Sequence, residues 1–485
     1  MKLLVIGLDC ADPEFIFRWK DKLPNIKKLI EGGAYGPLLS CHPPITVPAW
    51  AVMMSGKDPG QLGYYGFRNR TDYSYGGYSI ANGNSVKCDR VWDILSRAGK
   101  KVVLLGVPQT YPPKPVNGCV VSGFLAPSTE SSYTYPVPLK DEVEEVSGGY
   151  VLDVEDFRTD DKEALLGRIY QKTEKHFKVA KHLVKTKPWD FFMMVEMGTD
   201  RIHHGFWSYI DPAHRKHVPG NRFENSIKEY YKYCDGEIGE LLSLAPEGTA
   251  VILVSDHGAC RMEGAVCFNE WLIREGYLAL KEYPAEQTRI ADVEIDWERT
   301  KAWGDGGYYG RLFINVRGRE PEGIVDPADY ERLRDELIAK IEAITGPDGR
   351  SLGSKAIKPG DVYMETNGVP PDLIVYFGDL AWRSAGSVGT GEIHTFENDT
   401  GSDDANHDWH GVFVLNDAGC REGNLAPGFR EGMSIYDVAP TILNLFGMDR
   451  PENIAGKSLT AAQKDVSKKR KGVLKNWLKK IGNWL

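Results

Sequence analysis

Phe191-Phe192-Met193-Met194-Val195-Glu196-Met197-Gly198-Thr199-Asp200-Arg201-Ile202-His203-His204 changes character halfway along. The segment 191–196 is a short, nearly continuous apolar run, which suits a strand covered on both faces. Beyond Gly198, Asp200 and His204 stand four apart, so one helical turn sets both on the same face. A buried strand that feeds a polar helix start is the unit of an α/β sheet, and such sheets gather their ligands at the carboxyl ends of the strands.

The same pattern recurs outward from this point. Apolar runs at 3–8, 101–106, 250–255, 311–316, 372–377 and 412–415 read as further strands of the central parallel type. Amphipathic stretches at 25–31, 91–98, 162–185, 224–244, 328–344 and 435–446 read as helices, and a short one spans 49–55. Their alternation predicts an α/β, doubly wound, mostly parallel sheet flanked by helices. Residues 264–400 mix aromatics, Gly and Pro and hold few elements. The expected division is a catalytic body at 1–263, an inserted cap lobe at 264–400, a completing segment at 401–460 and a tail at 461–485.

With 485 residues the chain exceeds what one compact core usually supports. Its charge is uneven. The formal net is −9, yet residues 464–485 carry +7, which leaves −16 for the remainder. An acidic body argues against nucleic acid as a structural partner. Eight cysteines lie at 10, 41, 88, 119, 234, 260, 267 and 420 with no CxxC pair, as expected of free thiols in a reducing compartment. The opening run ends at Asp9 with no cleavage site, so it reads as a strand and not a signal. No 18 apolar residues run together.

Chemistry-bearing residues fall mainly at predicted strand ends. Asp9 closes the first strand. Asp200 and His204 follow the strand at 191–196, and Asp256-His257-Gly258 follows the strand at 250–255. Thr46, in Pro43-Pro44-Ile45-Thr46-Val47-Pro48-Ala49-Trp50, opens a helix whose first N–H groups face an anion site. A further histidine is needed to complete the set; His394, His407 and His410 are the candidates, and spacing alone does not rank them. Mixed Asp/His groups suit divalent ions, and two such ions about 4 Å apart serve phosphoryl chemistry by activating the entering oxygen and stabilising the leaving one.

In this order the segments Val5-Ile6-Gly7-Leu8-Asp9, Pro43 to Trp50, Met197 to His204 and Val254-Ser255-Asp256-His257-Gly258 resemble the type I phosphodiesterase and nucleotide pyrophosphatase branch of the alkaline phosphatase superfamily. The likeness runs from residue 1 to about 450. It implies an alkaline-phosphatase-like fold, and hydrolysis of phosphodiester or nucleotide-type diphosphate bonds, with Thr46 as nucleophile. It implies one ion on Asp9, Thr46, Asp256 and His257, and another on Asp200, His204 and a late histidine. His407 stands four before Gly411-Val412-Phe413, as the branch's late histidine does, and His410 becomes a neighbour of the leaving group. Zinc is the expected metal, with manganese or iron as alternatives. A phosphomonoesterase on the same core, and a membrane-tethered metal-binding relative without turnover, are the competing readings. The sequence departs from the branch in two places. Pro59-Gly60-Gln61-Leu62-Gly63 lacks a histidine before its last Gly, and Phe67 stands where an Asn holds a phosphoryl oxygen. Arg68, Asn69 and Arg70 are the candidate substitutes in substrate binding.

At the carboxyl end, Val473, Leu474, Trp477, Leu478, Ile481, Trp484 and Leu485 recur at helical spacing, with Lys475, Lys479 and Lys480 opposite. This predicts a basic amphipathic helix over 461–485 that lies on an anionic membrane surface through residues 464–485. With no signal run, the expected location is cytoplasmic, peripheral on the inner face of the membrane, which makes a lipid-linked phosphodiester or diphosphate a candidate substrate.

Overall fold

The computed structural model describes residues 1–417 and 425–460. The expected tail helix at 461–485 lies outside the described residues.

Ten strands form the central sheet: β1 (Leu3–Leu8), β2 (Ala34–Leu39), β3 (Val102–Leu105), β4 (Gly118–Val121), β5 (Thr134–Tyr135), β6 (Phe191–Glu196), β7 (Ala250–Val254), β8 (His410–Asn416), β9 (Gly428–Phe429) and β10 (Met433–Ser434). Their order is β9-β2-β8-β7-β1-β6-β3-β4-β5, with β10 also on β2. The stretch β7-β1-β6-β3-β4 is parallel throughout. Period-2 geometry explains why its strands are apolar at nearly every position. Leu4, Ile6 and Leu8 enter one core with Val103, Phe192, Met194 and Leu253. Leu3 and Val5 enter a second core on the other face with Val102, Leu104, Phe191, Met193 and Ile252.

Helices cover both faces. α1 (Thr46–Ser55) packs on the second core. α2 (Lys162–Thr186), α3 (Gly198–Ile210) and α4 (Ser226–Leu244) pack on the first and on one another. Among the described residues no helix is long and apolar enough to cross a membrane.

Three expected strands differ from the reading as central parallel strands. The run at 412–415 lies inside β8, which is antiparallel to both β7 and β2. The runs at 311–316 and 372–377 become Gly310–Ile314 and Leu373–Tyr376, members of a separate four-stranded antiparallel sheet. A continuous apolar run reports burial on both faces and carries no information on strand direction. This second sheet, with helices Phe268–Arg274 and Tyr330–Glu342, has its own core around Phe268, Leu312, Leu337 and Val375. It meets the body through an aromatic cluster that includes Tyr309, Tyr376 and Trp409.

Gly7, in the middle of β1, lets α1 approach the sheet. A Cβ there would come within 2.5 Å of the Trp50 ring and 2.9 Å of Val195 Cγ2. The close approach carries Trp50 Nε1 to 2.6 Å from Asp9 Oδ2. We expect Gly7→Ala to lower stability by about 1–3 kcal/mol through overpacking, read as a shift in the urea midpoint. An unchanged midpoint would show that Trp50 is not held against β1.

Candidate metal and catalytic site

Neighbouring strands bring the site together. β7, β1 and β6 lie side by side in near-flush register, with Gly7 opposite Val254 and Leu8 opposite Glu196. Asp9 follows β1 directly, Asp256 follows β7 by two residues, and Asp200 sits in the first turn of α3 just beyond β6. Asp9 and Asp256 are fully buried, and Asp200 is 2% exposed.

The start of α3 is pinned by a buried ion pair. Glu196 Oε1 accepts from Lys172 Nζ at 2.8 Å and from Gly198 N at 2.7 Å, and Thr173 Oγ1 adds a third bond. A side chain at Gly198 would collide with Tyr230 Oη. Thr199 Oγ1 then donates to the Asp9 carbonyl at 2.6 Å, which ties the helix start to the end of β1.

Two groups of donors result. In the first, Asp9, Asp256 and His257 offer ligand atoms within 4.8 Å of one another. Thr46 joins them: its hydroxyl donates to Asp9 Oδ1 at 3.4 Å and lies 3.3 Å from His257 Nε2. In the second, His204 Nε2 is 3.2 Å and His407 Nε2 is 3.8 Å from Asp200 Oδ1. The His257 and His407 rings stack at 3.8 Å, which joins the two groups.

Three imidazoles are oriented in the same way. His257 Nδ1 faces the Gly258 carbonyl at 3.0 Å, His407 Nδ1 the Pro44 carbonyl at 2.8 Å, and His204 Nδ1 the Asp403 carboxylate at 2.7 Å. An engaged Nδ1 fixes the tautomer and turns Nε2 inward, the arrangement of metal-ligating histidines. Asp200 Oδ1 and Asp256 Oδ2 are buried and accept no hydrogen bond. Two orphaned carboxylate oxygens beside three inward Nε2 atoms fit divalent cations.

The electrostatics agree. Burial, then the charge of Asp200, pushes the Asp9 carboxyl well above its usual range, and burial with Asp9 does the same to Asp256. Asp200 behaves oppositely: burial would raise it, but His204 and Arg201 hold it well below the usual value. Burial opposes charge on His204 too, yet Asp403 and Asp200 raise it to about 10. Burial lowers His257 to about 4, which keeps that ring neutral. Positive charge is what this cluster demands.

Sequence reasoning missed several contributors. Arg201 donates to Asp200 and grips Asp153 through Nε and Nη2 at 3.0 and 2.6 Å. Tyr308, from the second sheet, lays its ring over His407 and His204 at 4.4 and 5.0 Å. Its hydroxyl donates to Asp403 Oδ2 at 2.9 Å, and Arg158 binds both. The adjacent acids Asp403-Asp404 were a faint signal, but nothing in the sequence links 158, 308 and 403. Cys10, next to Asp9, was visible and was read only as one of the scattered thiols.

Other candidates have different surroundings. Asn69 spends its amide on its own loop, accepting from Tyr65 N and donating to the Gly66 carbonyl. Arg70 is buried, donates to the Ser74 carbonyl, faces Glu320 at 3.5 Å and lies over the Trp303 and Phe313 rings. These are loop-building partners. Arg68 is exposed on the rim of a separate aromatic cleft with Tyr78, Trp297 and Trp303. His410 lines another cleft with Asp12, Glu14, Asp211 and Asp408. His203 is buried, with Nε2 3.1 Å from the Tyr231 hydroxyl, and His394 lies on a short strand of the lobe.

The sequence matches the type I phosphodiesterase/nucleotide pyrophosphatase family over residues 3–409. The chain belongs to this family. It is a phosphoric ester hydrolase with the α/β fold of the alkaline phosphatase superfamily. No curated protein matches at the sequence level. Among solved structures, human ectonucleotide pyrophosphatase/phosphodiesterase 5 is similar at 12% identity with a TM-score of 0.56, over 93% of this chain and 97% of that one. The murine protein, in an inactive form bound to AMP, is similar at 13% identity and a TM-score of 0.53, over the same shares of each chain. Phosphonoacetate hydrolase from Sinorhizobium meliloti, in complex with phosphonoacetate, is similar at 13% identity and a TM-score of 0.59, over 92% and 95%.

Removing the acceptor behind His204 should loosen metal binding without touching a ligand. We expect Asp403→Asn to weaken one class of divalent-ion site by about 10–100-fold, measured by chelator competition. Unchanged affinities at every site would contradict a supporting role for Asp403.

Proposed function

We propose that the protein hydrolyses phosphodiester or diphosphate-ester bonds with Thr46 as nucleophile and two divalent ions, zinc by preference, as cofactors. Asp9, Thr46, Asp256 and His257 would hold one ion, and Asp200, His204 and His407 the other. The observation that carries this reading is the position of Thr46: 3% exposed, first in α1, with its hydroxyl between Asp9 Oδ1 and His257 Nε2. When bound, such ions supply the charge that lowers a hydroxyl's pKa and offsets charge on the phosphoryl and leaving oxygens.

The chain's own groups do the rest. Asp9 accepts the Thr46 hydroxyl hydrogen and sets its direction, and Trp50 holds Asp9 in place. The first-turn N–H groups of Thr46 and Val47 have no intrahelical acceptor and face a phosphoryl oxygen. Thr46 Oγ1 attacks phosphorus, and the bond to the leaving oxygen breaks. A phospho-threonine diester remains on the chain, and water releases it. The lobe at 264–400 serves as a cap that shapes the substrate cavity, since Tyr308 reaches from it over both histidines. The phosphoester carried by the murine relative, AMP, and the phosphonate in the bacterial one support a phosphoryl-type substrate.

Turnover of a chromogenic aryl phosphodiester against the matching monoester, on zinc- and manganese-loaded protein, tests the reading. We expect faster diester cleavage, lost at least roughly a thousandfold in Thr46→Ala. Faster monoester cleavage would make the protein a phosphatase on the same core, and activity that survives in the variant would remove Thr46 from the mechanism.

The basic segment 464–485 is proposed to hold the enzyme on an anionic membrane at the inner, cytoplasmic face, next to lipid-linked substrates. Flotation with vesicles of anionic lipid should carry the full chain and leave behind a chain that lacks 464–485. Equal flotation of the two would refute the tail's role.

A further inference from the structure

Asp9 and Cys10 are neighbours in sequence, yet they serve different donor groups. Cys10 adopts a left-handed backbone, φ 60°, although it is not glycine. That turn aims its N–H at Asp256 Oδ1, 3.2 Å away, on the side of the first group. Its side chain comes within reach of the second group. Cys10 Sγ, an Asp200 carboxylate oxygen and a His204 ring nitrogen all lie within 4.8 Å of one another, and all three residues are buried. A left-handed conformation costs a residue with a Cβ of order 1–3 kcal/mol, while glycine adopts it freely. Thus a thiol is kept where the backbone favours none.

A second feature points into the same space. Asp200 Oδ1 is buried, accepts no hydrogen bond, and has His204 Nε2 and His407 Nε2 around it. The sulfur's own contact is the Gly258 carbonyl at 3.2 Å, a weak bond that a cation at the centre would replace.

We propose that Cys10 is a sulfur ligand to the ion held by Asp200 and His204, which makes this centre a mixed oxygen, nitrogen and sulfur site selective for zinc over manganese. The inference rests on the two-ion reading above. A thiolate is a soft donor that favours zinc, whereas carboxylate and imidazole alone admit manganese more readily. The thiol proton leaves to solvent as the sulfur–ion bond forms.

Cobalt(II) titration of the metal-stripped full chain tests this without relying on turnover. Wild type should bind two equivalents and develop a near-ultraviolet thiolate-to-cobalt charge-transfer band as one of them fills. In Cys10→Ser and Cys10→Gly the band should vanish while two equivalents still bind. The zinc-over-manganese preference of that site should fall roughly tenfold or more. Cys10→Gly suits the left-handed backbone, so loss of the band there does not reflect misfolding. Two bound equivalents without the band in wild type would overturn the sulfur ligand and leave the two-ion reading intact. A single bound equivalent, or none, would overturn both.

Discussion

Three carboxylates, Asp9, Asp200 and Asp256, are buried at the ends of three adjacent parallel strands, and their mutual repulsion is the constraint to which the surrounding structure responds. Charges this close in a low-dielectric interior cannot all stay ionised without compensation. The protein shows the strain in both directions: burial and a neighbouring carboxylate, Asp200 for Asp9 and Asp9 for Asp256, drive these two towards their neutral forms, while Asp200 stays ionised because His204 and Arg201 outweigh its burial. Cations resolve the conflict for all three at once. A purely structural cluster would be better served by apolar residues, so the persistence of the three acids at one point of a well-packed sheet is itself an argument for a site.

Around that constraint, each polar partner fixes one degree of freedom. Trp50 takes one oxygen of Asp9, the Cys10 N–H takes one of Asp256 and Arg201 takes one of Asp200. The remaining oxygens face inward. The histidines follow the same rule, with Nδ1 anchored and Nε2 turned towards the carboxylates. The second sheet contributes through Tyr308, which packs on His204 and His407 and shares Asp403 with His204. A movement of the second sheet would therefore be felt at His204 and His407, which gives it a physical route to influence the donor cluster.

The sequence made the parallel core and most of the donor set legible because both follow from local pattern: an apolar run, then an acid or histidine within four residues of its end. What it hid depends on distance or direction. β8 and the strands of the second sheet look like parallel strands since two-sided burial leaves the same apolar mark in either direction. The clasp of Arg158, Tyr308 and Asp403 joins segments up to 245 residues apart and leaves no local trace. The choice between His407 and His410 depended on the fold. A bend at Trp409 separates their two strands, which belong to different sheets. His407 stacks on His257, while His410 lines a cleft rimmed with acids.

The same economy governs the proposed nucleophile, Thr46. Helix α1 begins at Thr46 and has Pro48 in its first turn, where a missing N–H costs nothing because that hydrogen would have had no partner. Only Thr46 and Val47 then present N–H groups at the helix end, in the immediate neighbourhood of the Thr46 hydroxyl. Gly7 completes the arrangement from below: with no side chain in β1, the Trp50 ring drops against the sheet and its N–H reaches Asp9. One absent methyl group thus sets how closely α1 approaches the sheet, and with it the distance from Thr46 to the carboxylate that directs its hydroxyl. Packing of the core and geometry of the chemistry are, at this point, one variable.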